Sequence, residues 1–406
     1  MSELTEITRA EQTADPHALR AEHEQRLARV QQELAARGHD ALVVTDPANL
    51  YYLTGYNAWS FYMPQALLVP VSGEAHLVLR AMDAKGGRHT ASLPPARIHG
   101  YPEHYVHRHD IHPFEWIARR GLEVGALPAG PATVALEMDA HYFSPRAYLA
   151  LGACLPQARL VDSRELVNWL RVVKSDTEIA LMRAAGEVTV RAMRVAVDTL
   201  RAGARQCDVV AQIQQAQAHG TEALGGDYPA IVPMLPSGET AGTPHLTWVE
   251  EPLRQGEATT IELAGVHRRY HVPLARTVSL GPPPARLAQT AEATGLGLEQ
   301  ALAAMRPGST TADVHAAFTR AISRHGLSKE SRIGYSIGIG YPPDWGERTV
   351  SLRAEDHTVL TPGMCFHVIL GMWMDRWGYE TSESVLVTDG PPELLAPLDQ
   401  GLVTHP

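Results

Sequence analysis

The sequence predicts an α/β domain followed by an α+β domain with a curved antiparallel sheet. A chain of 406 residues is too long for one ordinary core and comfortable for two domains. Strand and helix patterns alternate in its first half, whereas the second half groups helices between long strands. Apolar residues make up 45% of the chain and charged residues 20%, which is typical of globular proteins.

The first half begins with a polar, acidic segment, residues 1–16, which we expect to be a flexible tail. This segment lacks the apolar core of a secretion signal. Residues 17–165 then form the predicted N-terminal domain. A helix with apolar residues at helical spacing is expected to end at Gly38. The strands predicted after it are 41–46, 66–71, 75–80 and 133–138.

Residues 166–406 form the predicted second domain. It opens with a helix from Lys174 to Arg201, where Ser175 and Glu178 have the spacing of a capping box. The elements predicted after this helix are a long hairpin over 260–280, helices over 288–305 and 311–326, and strands over 364–374 and 383–389.

Charge and composition exclude several classes of protein. The chain has 35 Lys and Arg against 45 Asp and Glu, a net charge of −10, and so lacks the basic surface of a nucleic-acid-binding protein. No apolar run approaches the roughly 20 residues of a membrane helix. Cys154, Cys207 and Cys365 are too scattered for a disulfide framework or a Cys metal site. We therefore expect a cytoplasmic protein without membrane or nucleic-acid partners.

A series of short motifs resembles the creatinase/aminopeptidase P superfamily, family M24, whose catalytic domain has the pita-bread fold. The order and spacing of these motifs carry the resemblance, which covers essentially the whole chain. They are Lys174 with Thr177, Glu178 and Arg183, then Pro244-His245, Tyr270, Arg276-Thr277, Pro362-Gly363-Met364 and Val387-Thr388-Asp389-Gly390.

The peptidases of the superfamily hold two metal ions with five residues, and the resemblance implies which positions of this chain correspond to those ligands. Two close divalent cations need several anionic oxygen ligands. The five ligand positions fall on Glu262, Pro273, Tyr335, Ile369 and Ser382. One carboxylate remains of five, and neither Pro273 nor Ile369 has a side chain that binds metal. We expect no metal and no other cofactor.

Longer blocks resemble a metal-free branch of the superfamily, the ectoine hydrolases. These blocks are 55–62, 225–238, 244–248, 261–271, 334–348 and 378–388. The resemblance implies a hydrolase that opens the cyclic amidine of ectoine to N-acetyl-2,4-diaminobutyrate. It also implies that Glu262 is the nucleophile or base and that His245 is the proton shuttle.

Glu380 and Tyr335 are further candidates for the catalytic site, and Glu383 is a candidate substrate contact. Glu380 lies two residues before Ser382, on the same face of its strand, and could bind the amidinium. Glu383 faces the other way unless a bulge intervenes, so the choice between the two glutamates stays open. Tyr335 could donate a hydrogen bond into the pocket.

Candidate substrate contacts include an aromatic patch in the N-terminal domain, formed by Trp59, Phe61 and Tyr62 after a Gly turn. Aromatic rings stack on flat cations, and the resemblance to creatinase implies a homodimer in which this domain closes over the partner's pocket. Glu347 and His271 are further candidates for substrate contact.

Several readings stay open. The group that binds the substrate carboxylate could be Arg332, Arg348 or Arg276, and hydroxyectoine could also be accepted. The alternative functions are hydrolysis of another amidinium or guanidinium compound such as creatine, an Xaa-Pro dipeptidase, and a non-catalytic binding protein.

Overall fold

The computed structural model describes residues 16–406, and the side chains from Arg20 onward. The described chain divides into two compact units between Leu170 and Arg171. The sequence-based boundary, between residues 165 and 166, lies a few residues earlier. The expected tail lies outside the described residues except for Pro16, the first residue of the helix Pro16–Arg37.

The N-terminal unit, in its described part, is built on a six-stranded mixed sheet in the order β4-β3-β2-β1-β5-β6. Its strands are β1 (Ala41–Val44), β2 (Ala66–Pro70), β3 (His76–Arg80), β4 (Ile98–Tyr101), β5 (Ala132–Leu136) and β6 (Ala158–Asp162). Its helices are Pro16–Arg37, Pro47–Thr54, Asp83–Thr90, Pro113–Glu123, Pro145–Cys154 and Leu166–Arg171. Every residue of β1 is buried, as expected for a strand covered on both faces.

The C-terminal unit contains an eight-stranded sheet, counted over the residues that the structure describes. Its strands are β7 (Ala258–His267), β8 (Tyr270–Leu280), β9 (Gly334–Tyr341), β10 (Asp344–Ser351), β11 (Cys365–Met374), β12 (Trp377–Leu386), β13 (Glu393–Leu394) and β14 (Val403–His405). The order is β13-β12-β11-β9-β8-β14, with β10 paired to β9 and β7 paired to β8. The pairs are antiparallel except that β14 runs parallel to β8. The predicted fold class is confirmed.

Four long helices accompany this sheet: Asp176–Thr199, Gln206–His219, Ala285–Ala304 and Thr311–Ser323. The predicted capping box is present, because the Ser175 side chain accepts from the Glu178 backbone and the Glu178 side chain accepts from the Ser175 backbone. The predicted hairpin is β7–β8. The strand predicted over 383–389 is corrected, since β12 begins at Trp377 and ends at Leu386.

The alternation of side chains along β11 separates the core from the site. Phe366, Val368 and Leu370 are buried in the apolar cluster that includes Leu298 and Phe318 of two helices. Because successive strand residues point to opposite faces, the side chains between them face the concave side of the sheet. That concave side holds the candidate site.

Candidate active site

One cavity of about 370 Å³ lies on the concave side of the sheet, and we call it the Glu262 cavity. This volume is within the ordinary range for small-molecule sites. It is lined by Ile231, Met234, Pro236, Pro244, His245, Thr260, Glu262, Lys329, Ser331, Arg332, Tyr335, Asp344, Ile369, Gly371, Trp373 and Glu380. It therefore combines four of the sequence-predicted catalytic residues, His245, Glu262, Tyr335 and Glu380.

Glu262 lies in the middle of β7, opposite Ala275 of β8. Its backbone is bonded on the other side to Met234, which donates to the Glu262 carbonyl and accepts from the Glu262 amide. Only 7% of the residue is exposed. Burial disfavours the charged carboxylate and raises the pKa of Glu262 to about 7.

Glu380 on β12 is the second carboxyl group of the cavity. Burial and the charge of Glu262 raise its pKa well above the ordinary value, and Lys329 acts in the opposite direction. Two buried carboxyls that share a cavity do not ionise together, so Glu262 ionises first and Glu380 keeps its proton.

Glu383, the other glutamate left open by the sequence, does not line the cavity. Its carboxylate accepts a hydrogen bond from Nη2 of Arg276 at 2.7 Å, and both side chains are buried. The alternation of β12 explains the difference, because Glu380 and Ser382 share one face and Glu383 lies on the other. Arg276 is likewise absent from the cavity lining.

Tyr335 lines the cavity and belongs to a chain of buried hydrogen bonds. Its hydroxyl accepts from Nε1 of Trp345 at 2.9 Å and lies 3.1 Å from Nδ1 of His367. Nε2 of His367 lies 2.8 Å from Oγ of Ser382, which accepts from the Ala275 amide at 2.6 Å. Burial and the charge of Glu262 raise the pKa of Tyr335 well above its usual value, so its hydroxyl stays protonated.

His245 occupies an exposed position at the cavity and has a backbone φ of +65°. A non-glycine residue in the left-handed region is uncommon and signals a local constraint. Its side chain has no hydrogen-bond partner among the described residues, and the exposed imidazole is accessible to a bound molecule.

Two cations complete the lining, Lys329, which sequence reasoning missed, and Arg332. Nζ of the half-buried Lys329 donates to the carbonyl of Gly371 at 2.8 Å and to Oγ of Ser331 at 2.9 Å. Burial lowers the pKa of Lys329 to about 8. Arg332, one of the arginines considered from sequence, lies with its guanidinium 4.4 Å from the centroid of the Tyr335 ring.

Thr260 was also missed. It lies two residues before Glu262 on β7 and so faces the cavity with it. Its Oγ1 is buried and has no hydrogen-bond partner in the described chain. A buried hydroxyl without a partner costs free energy, so this group is available to a ligand.

Two other predicted substrate contacts lie outside the cavity lining. Glu347 is buried and forms an ion pair with Nζ of Lys174 at 2.8 Å, with Arg171 at 3.7 Å. His271 is buried as well: its Nε2 accepts from the Ala230 amide at 2.9 Å, and its Nδ1 donates to the Arg269 carbonyl at 2.8 Å. Both side chains bind parts of the fold rather than facing the Glu262 cavity.

The predicted aromatic patch lies in the N-terminal unit, on a turn that follows Gly55. Gly55 ends the preceding helix with a φ of +72°. Phe61 is only 4% exposed and contacts the ring of Tyr142, so it belongs to the core of its unit. Trp59 and Tyr62 are 58% and 61% exposed.

The donor set of the cavity does not fit a pair of metal ions. Among the described residues, no three His, Cys, Asp or Glu side chains group as a metal ion requires. Ile369 lines the cavity without a ligand atom. The Tyr335 hydroxyl and Ser382 hydroxyl are both engaged in the hydrogen-bond chain described above.

Comparison with known proteins identifies the family. The model of metallopeptidase family M24 matches residues 180–389, and that of the creatinase/prolidase N-terminal domain matches residues 26–173. The chain belongs to family M24. The chain is 44% identical to an ectoine hydrolase of Halomonas elongata, over 93% of this chain and 96% of that protein.

Solved structures agree with this family. A prolidase from Thermococcus sibiricus has a TM-score of 0.82 at 18% identity, over 94% of this chain and 99% of its own. A dipeptidase PepE from Mycobacterium ulcerans has a TM-score of 0.77 at 24% identity, over 95% of this chain and 98% of its own. These likenesses establish the pita-bread fold. By its family match and its likeness to the ectoine hydrolase, the chain is a hydrolase homologue. No helix in its described part is long and apolar enough to cross a membrane.

Proposed function

We propose that this chain is a metal-independent hydrolase that opens the cyclic amidine ring of ectoine. The observation that carries the proposal is the Glu262 cavity itself, where a buried carboxylate takes the place of a metal-ligand set. The likeness to the ectoine hydrolase of Halomonas elongata supports the substrate. The product is N-acetyl-2,4-diaminobutyrate.

The cavity matches the charges of this substrate, a cationic amidinium ring that carries a carboxylate. Glu262 and Glu380 face the amidinium, and the protonated Glu380 accepts a ring N–H through its carbonyl oxygen. Lys329 and Arg332 hold the carboxylate by charge-assisted hydrogen bonds. Thr260 supplies a further hydroxyl, and Trp373 lies against the ring.

Glu262 acts on the central amidine carbon. As a nucleophile, its carboxylate oxygen bonds to that carbon, and one ring C–N bond breaks with its electron pair going to nitrogen. The departing nitrogen takes a proton from His245. Water then adds to the same carbon and expels the Glu262 carboxylate, giving one proton back to His245 and the other to the released amine, which leaves an acetamido group. As a general base, Glu262 would instead take the proton of the attacking water.

The direct test is incubation of the purified protein with ectoine, followed by mass spectrometry for the ring-opened product. Glu262→Gln should abolish product formation. Glu299→Gln, which removes an exposed carboxylate from the helix Ala285–Ala304, is the matched control and should retain full activity. Wild-type protein that yields no product would overturn the proposal. A mass adduct on Glu262 during turnover distinguishes the nucleophile from the base.

A second candidate reaction is hydrolysis of a guanidinium compound such as creatine. The observation that favours it is that two carboxyls facing one cavity would also hold a guanidinium group. A panel of ectoine, hydroxyectoine, creatine and an Xaa-Pro dipeptide separates the readings. Release of urea from creatine would show that creatine rather than ectoine is the substrate, and release of proline would show the same for the dipeptide. Tight binding without turnover would indicate a binding protein.

We also propose that the protein is a homodimer, as the resemblance to creatinase implies. The exposed Trp59 and Tyr62 would then contact a substrate in the partner's cavity. Light scattering during size-exclusion chromatography measures the mass in solution. A mass of one chain, or an unchanged KM in a Trp59→Ala variant, would contradict this arrangement.

A further inference from the structure

The buried hydrogen-bond chain beside the cavity determines where one proton of the site lies. It runs from Trp345 through Tyr335 and His367 to Ser382, and then to the backbone amide of Ala275. Its two ends are fixed donors, because an indole N–H and a backbone N–H cannot accept. The Trp345 indole N–H donates to the hydroxyl oxygen of Tyr335, and the Ala275 amide donates to the hydroxyl oxygen of Ser382.

His367 has a single ring proton to place. Burial lowers the pKa of His367 to about 3, so the imidazole is neutral. If that proton lies on Nε2, it is donated to Ser382, whose oxygen then receives two donors while its own proton has no acceptor in the described chain. Ser382 is fully buried, so such a stranded proton is unfavourable.

If the proton lies on Nδ1, Ser382 and His367 are both fully paired, and the one hydroxyl proton left without a partner in the chain belongs to Tyr335, which lines the cavity. Ser382 donates its hydroxyl proton to Nε2 while accepting from Ala275, and Nδ1–H donates to the Tyr335 oxygen. That oxygen now accepts from both His367 and Trp345. The proton of Tyr335 is left to point away from both donors, toward the cavity that Tyr335 lines.

We propose that Ser382 and His367 are positioning residues that make Tyr335 an obligate hydrogen-bond donor into the Glu262 cavity. The receiving group is an anionic oxygen, either the carboxylate of Glu262 or an oxygen of the bound substrate. Tyr335 is the catalytic residue of the set, and the other two act through it. The proton arrangement stands without reference to substrate, whereas its effect on turnover rests on the proposed function.

Neutron diffraction from deuterium-exchanged crystals of the wild-type protein tests the arrangement directly. The expected map shows deuterium on Nδ1 of His367, none on Nε2, and the Tyr335 deuterium directed into the cavity. Deuterium on Nε2 overturns the proposal. Because this measurement needs no substrate, its failure is distinguishable from a failure to hydrolyse ectoine.

A double-mutant cycle tests the effect on turnover. Removing one preorganised donor costs on the order of 10²–10³ in kcat, so Tyr335→Phe should lose that much. Ser382→Ala frees Nε2 to carry the proton and lets Tyr335 turn toward Nδ1, so kcat should fall at least about tenfold. In the Tyr335→Phe background the same substitution should cost nothing more.

Ser382→Thr, which keeps the hydroxyl, is the matched control and should retain most of the activity. Thermal unfolding of each variant separates folding from positioning. Equal losses from Ser382→Ala in both backgrounds would show a purely structural role and overturn the positioning assignment. Should the variants fail to fold, the neutron map still decides the question.

Discussion

The raised pKa of Glu262 predicts the acidic limb of the pH–rate profile. Glu262 acts only when ionised, and burial places its pKa at about 7. From this value about a tenth of the carboxyl is ionised at pH 6 and about nine tenths at pH 8, so the acidic limb of kcat/KM, which Glu262 controls, should have its midpoint near pH 7. An ordinary exposed carboxyl would give a flat profile over this range.

The substitution Glu380→Gln makes this prediction sharper. Glu380 is protonated while Glu262 titrates, because its pKa is raised further by burial and by the charge of Glu262. The substitution therefore replaces one neutral group by another, and the midpoint of the acidic limb should stay where it is in the wild type. An ionised Glu380 would behave differently, since its removal would lower the pKa of Glu262 and move the limb to lower pH.

The assay is the rate of ectoine loss at low substrate concentration, followed by chromatography at constant ionic strength across the pH range. Glu299→Gln serves again as the exposed control. A wild-type midpoint near the ordinary carboxyl value, or a midpoint about one pH unit lower in Glu380→Gln, would refute the reasoning about the carboxyl pair.

Four further predictions follow from the site and its supports. His245→Ala should lower kcat by about 10²–10⁴ while leaving the unfolding temperature unchanged, because the imidazole is exposed; a matching loss of stability would contradict a role in proton transfer. Glu347→Gln should destabilise the fold by about 3 kcal/mol or more in denaturant titrations, because it leaves Lys174 buried without its closest carboxylate; an unchanged midpoint would contradict the importance of that pair. Treatment with a chelator should leave kcat unchanged, and activity that returns only with added metal would refute metal independence. Binding of an unreactive amidinium at about pH 7 should release about half a proton from Glu262, measured as a dependence of the calorimetric heat on the buffer; heats independent of the buffer would exclude this coupling.

The sequence was sufficient wherever local periodicity decided the structure. The alternation along a strand gave the shared face of Glu380 and Ser382, whereas Glu262 was singled out by the resemblance, which places it at a metal-ligand position of the peptidases. Lys329 shows the limit, because it lies in a loop where no periodic pattern assigns a direction to its side chain. Glu347 shows another, since its ion-pair partner Lys174 is 173 residues away and only the fold brings them together.

The proposed replacement of metal ligands by hydrogen-bonding groups would have an electrostatic consequence for the substrate. In a dinuclear site the cations keep the surrounding carboxylates ionised, whereas burial without cations drives Glu262 and Glu380 toward their protonated forms. A positively charged ligand restores the missing charge and favours ionisation of Glu262 at the moment of binding. On the proposed function, the cavity would therefore favour a cation and ionise its own carboxylate by the same interaction, and a neutral isostere of the substrate would do neither.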